Sequence, residues 1–232
     1  MTTNSGKAFA SGSSSDSPAP KRLVPLAVGF LLVEFFLQQL PSLVPELQIP
    51  GTGWNWTGKI LSVIFSCLVL AFSPWLRQNA GLRWRQSPGS IRWSLISFFA
   101  CFGIAFATNF HRAAATFSRE TVLFQMFMPS LDEELAYRGI AMALLEKAFH
   151  QSPMSCRLRY GWAALILSLV FGLGHAISTA GGQIVFLLLP FLLITLYASM
   201  VAMVRTRSGS LLWPMLCHSA WNGSFFLIPM LR

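Results

Sequence analysis

The sequence predicts an all-α protein, a polytopic transmembrane helical bundle of about seven helices, on three observations. Of its 232 residues, 54% are apolar and only 11% are charged, against roughly 25% charged in soluble chains. With a mean hydropathy of +0.57, the chain has too little charge to coat a water-facing surface. The apolar residues gather into segments of about 20, long enough to cross a hydrocarbon core at about 1.5 Å per residue. None of these segments alternates like a barrel strand, and backbone in lipid must satisfy its own hydrogen bonds, which leaves helices.

Taken in order, residues 1–22 are rich in Ser, Gly, Ala and Pro and end on Lys21 and Arg22. They can bury no core and read as a disordered cytoplasmic tail. No small-residue cleavage site follows a short apolar region, so the run from Leu23 reads as a retained anchor. Helices are predicted at 23–44, 58–76 and 91–110, which makes residues 23–119 a group of three N-terminal transmembrane helices. Four more, at 120–149, 159–179, 182–204 and 209–231, occupy residues 120–232. The four cysteines, Cys67, Cys101, Cys156 and Cys217, lack CxxC spacing and read as small core residues.

The net charge of +9 is spread in short clusters between the spans. That is the pattern of membrane orientation, and no nucleic-acid partner is expected. With the N-terminus cytoplasmic, twelve basic residues fall on the inner side, from Lys7, Lys21 and Arg22 through Arg77, Arg83, Arg85 and Arg92 to Lys147, Arg157, Arg159, Arg205 and Arg207. Lys59, Arg112, Arg119 and Arg232 fall outside, and Arg138 within the membrane. The bias predicts a multi-pass protein, in the cell (inner) membrane, with its C-terminus extracytoplasmic.

Against this background the fourth segment carries Asp132, Glu133, Glu134 and Arg138 near its middle. Facing lipid, four such charges cost on the order of 10 kcal/mol, so they must face the bundle interior, pair or meet water. Glu134 and Arg138 are four residues apart and share a helix face. Glu133 lies about 100° away and remains available for chemistry. The alternative is a buried ion pair that only holds the bundle together. In the fifth segment His175 ends the stretch Phe171-Gly172-Leu173-Gly174-His175, where the glycines let a helix or a substrate approach the imidazole. His218 and Asn222 in the seventh segment again lie four apart, aiming an imidazole and a carboxamide at one place where both can donate to an oxyanion. Each histidine alone also fits an interhelical hydrogen bond. Counted along the predicted spans, these groups lie in the middle to outer half of the membrane, with access from the extracytoplasmic side.

The three pieces together, Glu133-Glu134-Leu-Ala-Tyr-Arg138, Phe171-Gly-Leu-Gly-His175 and His218-Ser-Ala-Trp-Asn222, resemble the EExxxR, FxxxH and HxxxN/D motifs of the CPBP family of intramembrane proteases. That family includes the CAAX prenyl endopeptidases and bacteriocin-immunity-type members. The resemblance covers roughly residues 120–225 and implies that residues 120–232 are a CPBP-like catalytic helical core. It implies an intramembrane endopeptidase that cuts near the C-terminal tail of a membrane-tethered or hydrophobic-tailed protein substrate. Glu133 would activate water, His175 would bind and orient it, His218 and Asn222 would stabilise the oxyanion, and Glu134, Arg138 and Phe171 would support them. Zinc, with Glu133, Glu134, His175 and His218 as the available ligands, is the alternative to a metal-free glutamic mechanism. No HExxH motif is present, which favours the metal-free form. The rival readings are a transporter or proton relay, since intramembrane Glu, His and Arg also build ion paths, and a non-catalytic immunity or scaffold protein of the same fold.

Overall fold

A computed structural model describes residues 20–149, 153–155 and 160–232. The predicted tail through residue 19, with Lys7, and Cys156, Arg157 and Arg159 lie outside the described residues. Helix α1 (Pro20–Leu43) is followed by α2 (Trp56–Phe72), the short α3 (Pro74–Asn79) and α4 (Ser90–Asn109). A continuous helical rod follows, made of α5 (Arg119–Glu133), a π-helical stretch (Glu134–Ala141) and α6 (Met142–Ala148). A small hairpin, β1 (Pro153–Ser155) with β2 (Tyr160–Gly161), leads to α7 (Trp162–Ala176). A second hairpin, β3 (Ile177–Ala180) with β4 (Gln183–Phe186), precedes α8 (Leu188–Ser208) and α9 (Leu212–Met230).

Each of the seven predicted helices has a counterpart here, the fourth being the rod. The main departure is at the fifth and sixth, predicted to run to 179 and to start at 182. Helix α7 instead stops at Ala176, and at 15 residues it is about 22 Å long, short of a full hydrocarbon core. The cause is Gly181-Gly182, both at positive φ (58° and 78°). Ala180 pairs with Gln183, so the two glycines form the two-residue turn that matches the twist of a hairpin. Among the described residues three helices are long and apolar enough to cross a membrane by length and composition, within α1, α4 and α8, while α2 and α7 are apolar but shorter.

The flanks of the bundle are apolar, as a lipid-facing protein requires, and its interior mixes apolar residues such as Ile140, Met142 and Val201 with buried polar ones. Phe35, Phe72 and Phe99 stand exposed on its flanks, whereas Ser62, Ser66, Ser94 and Ser97 are buried. Along α4 the buried residues Ser90, Ser94, Ser97, Cys101 and Ala105 recur every three to four positions. This small-residue stripe lets α8 and α9 approach closely. Cys101 and Cys217 are free and buried, as core cysteines should be, but Cys67 faces outward. The three N-terminal helices do not make a layer of their own. Helices α1 and α2 pack against the rod, while α4 packs against α8 and α9.

Candidate functional site

The rod is loosened where the charges lie. Pro129 sits inside α5, and lacking an N–H it leaves the Gln125 carbonyl without its helical donor one turn before Glu133. The π-helical stretch then begins at Glu134, a widened turn of the kind that marks functional sites in helices.

A lysine missed as a site residue meets those charges. The chain between α1 and α2 is tied to the first turn of α5: the Gly53 and Trp54 amides and the Trp56 indole all donate to Glu120. Trp54 donates from its indole to Thr121 Oγ1 at 3.0 Å and stacks on Phe124. Gly58 is needed here, because a Cβ would lie 2.6 Å from the Gln38 carbonyl of α1. So anchored, α2 enters the bundle with Lys59 on its inner face. The Lys59 Nζ donates to Glu133 Oε1 at 2.6 Å, Asp132 Oδ2 at 2.8 Å and Gln38 Oε1 at 3.1 Å. Sequence reasoning counted Lys59 among the outer-edge charges. The available signal was its face: Lys59, Ser62 and Ser66 are all buried in α2, and Lys59 is the helix's sole charged residue.

Glu134 faces the other way. Its Oε1 accepts from Arg138 Nη1 at 3.2 Å and from His218 Nδ1 at 2.8 Å, and Glu134 itself is fully buried. Because a carboxylate can only accept, His218 carries a proton on Nδ1, and its Nε2 looks toward Glu133 Oε2 at 3.8 Å. Arg138 is further held by the Ala198 carbonyl and by the Phe171 ring, 4.5 Å below its guanidinium. Arg205 of α8, counted as a cytoplasmic-edge charge, is buried and donates to the Arg138 carbonyl at 3.0 Å.

His175 lies in the last turn of α7, its ring 4.5 Å from that of Phe171. Its Nδ1 donates to the Phe171 carbonyl at 2.8 Å, which fixes the tautomer and leaves Nε2 unprotonated in the neutral ring. The two glycines of this stretch differ. A Cβ at Gly172 would lie 2.0 Å from Thr195 Oγ1, so Gly172 admits α8, whereas a Cβ at Gly174 would meet nothing within 4 Å. Asn222 Nδ2 is 3.4 Å from Gln125 Oε1, a long bond that turns the carboxamide along α5.

Glu133, His175, His218 and Asn222 line one cavity of about 450 Å³, together with Lys59 and Gln125. The rest of its wall is largely apolar, with Phe124, Pro129, Pro190, Ile194, Trp221 and Phe226 among the lining residues. Tyr197 lines it too, and its buried hydroxyl has no hydrogen-bond partner among the described residues. That hydroxyl was also missed, since an aromatic in an apolar helix reads as packing. Among the described residues no group of three or more His, Cys, Asp or Glu side chains is gathered as metal ligands would be. Glu133 Oε1, His175 Nδ1 and His218 Nδ1 are each held by protein partners, which fixes the direction of all three side chains. A carboxylate with one unpartnered oxygen, an oriented imidazole and amide donors around an apolar chamber can activate water and stabilise an oxyanion.

Residues 116–224 match the family model described as Type II CAAX prenyl endopeptidase Rce1-like. Comparison with curated proteins found no match, and comparison with solved structures found none. The matched region holds Glu133, His175, His218 and Asn222 but excludes α1 and α2, which supply Gln38 and Lys59.

Proposed function

From the premise that its residues 116–224 belong to the CPBP/CAAX protease family, we propose that this chain hydrolyses a peptide bond near the C-terminal tail of a membrane-tethered or hydrophobic-tailed protein. The observation that carries the reading is Glu133, whose Oε1 is held by Lys59 at 2.6 Å while its Oε2 faces His218 Nε2 across 3.8 Å. A water lying about 2.8 Å from each atom fits that span. Glu133 takes the water's proton as the oxygen adds to the scissile carbonyl carbon, and His175 orients the water. Asn222, and His218 when protonated on Nε2, donate to the oxyanion, with Glu134 offsetting the imidazolium charge. The tetrahedral intermediate then collapses, the C–N bond breaks, and the proton held by Glu133 passes to the leaving amine. The route uses water and protein donors, with no cofactor.

The apolar wall of the chamber suits an extended hydrophobic tail, such as the C-terminal sorting tail of an exported protein. The basic-residue bias supports a cytoplasmic N-terminus, and the depth of the site residues along the predicted spans then supports access from the extracytoplasmic side. The test uses purified protein in proteoliposomes with membrane-tethered peptides, run in ¹⁸O-water and read by mass spectrometry. One ¹⁸O should enter the new carboxyl group, and both Glu133→Gln and His175→Ala should abolish the product. Full cleavage by both variants would overturn the assignment.

A further inference from the structure

A second cavity, about 200 Å³, also reaches Glu133 and His175. Its walls differ from those of the larger chamber. That chamber is enclosed by α2, α5, α7, α8 and α9, whereas the smaller is bounded by α1, the junction of α5 with the π-helical stretch, and α7. From α1 it takes Leu31, Glu34, Phe35, Gln38 and Gln39, spaced so that all lie along one helix face. Glu133 and His175 therefore stand in the wall between an apolar chamber and a smaller space lined by two glutamines and a second carboxylate.

We infer that the cavity between α1 and α7 is a water site that supplies Glu133 while substrate fills the apolar chamber. The inference rests on the protease reading above. Hydrolysis consumes one water per bond, yet a hydrophobic tail seated in the chamber expels water from it. The α1 side gives a separate path to the same carboxylate. At about 30 Å³ per molecule the space holds several waters. The polar part of its wall, Glu34, Gln38, Gln39, Glu133 and His175 among Leu31, Phe35, Tyr137 and Phe171, can bind them. Glu34 is only 2% exposed and accepts from the Ser62 and Ser66 hydroxyls, retaining lone pairs for further donors. Glu133 Oε2 is buried with no hydrogen-bond partner among the described residues, and a buried carboxylate oxygen in that state is where ordered water binds. The assignment also gives α1, which lies outside the family match, a part in the reaction.

The cavity can be filled from either wall. Gly174 has open space around a Cβ, so Gly174→Leu fills the gap from α7, and Leu31→Trp fills it from α1. Steady-state cleavage by both variants in proteoliposomes should show kcat lowered about tenfold with KM within about twofold of wild type, and Gly174→Ala should stay near wild type. Unchanged kcat in both filled variants would overturn the water site. So would a raised KM at constant kcat, which would make the gap a passage for substrate. Glu133→Gln, run alongside, separates the two failures. If it is inert while the filled variants keep full kcat, the water site alone is wrong; if it cleaves like wild type, the role of Glu133 itself is wrong.

Discussion

Two charge clusters lie next to each other on one helical rod, and they are built differently. Around Glu134 every charge is enclosed: the carboxylate and Arg138 are 0% and 2% exposed, and His218 and Phe171 close over them. Around Glu133 one oxygen is clamped by Lys59, the other has no hydrogen-bond partner among the described residues, and the side chain lines a cavity whose walls include α2, α7 and α9. Enclosure on every side suits a cluster that holds helices in place. Both carboxylates are bonded through one oxygen, but only Glu133 of the two lines the cavities, and a carboxylate clamped in direction beside a chamber suits one that exchanges a proton with water. Adjacent, chemically identical residues thus take separate work from their partners alone.

Substitutions that exchange the features of the two clusters should separate them. The largest effect belongs to Glu133→Gln, which removes the base and keeps the shape; kcat should fall by about 10²–10⁴-fold, measured by single-turnover cleavage. Arg138→Met should act on the other cluster and on stability, costing about 3–5 kcal/mol because it strands a buried carboxylate, read as a loss of folded protein in a detergent melt. Asn222→Ala removes an oxyanion donor and should lower kcat by about 10²-fold with little change in the melt. Gly172→Ala is the smallest, forcing Thr195 and α8 aside for about 1–3 kcal/mol of stability. If the Arg138 variant instead lost only kcat at full stability, the division between a holding and a reacting cluster would fail.

Much of this architecture is legible in the residues. The seven helices follow from segment length and apolar content, and the spacing of Glu134 with Arg138 announces a pair that forms at 3.2 Å. The parts that escaped depend on contacts between distant segments. Lys59 and Asp132 are 73 positions apart, and only the loop bound to Glu120 brings α2 to the depth at which they meet. The end of α7 was misplaced for a local reason, since an apolar run with Gly181-Gly182 was read as helix when the paired glycines set a hairpin turn. The second cavity was equally invisible, because a gap between α1 and α7 is a property of packing that no single helix face records.

The central claim is that Glu133, and not its neighbour, handles the water. Its most direct test is the cleavage rate of folded Glu133→Gln and Glu134→Gln proteins, reconstituted side by side with one membrane-tethered substrate. The account predicts that Glu133→Gln melts like wild type and cleaves at least about 10²-fold more slowly, while Glu134→Gln is less stable yet still cleaves. Wild-type cleavage by Glu133→Gln, or inertness confined to a fully stable Glu134→Gln, would contradict it.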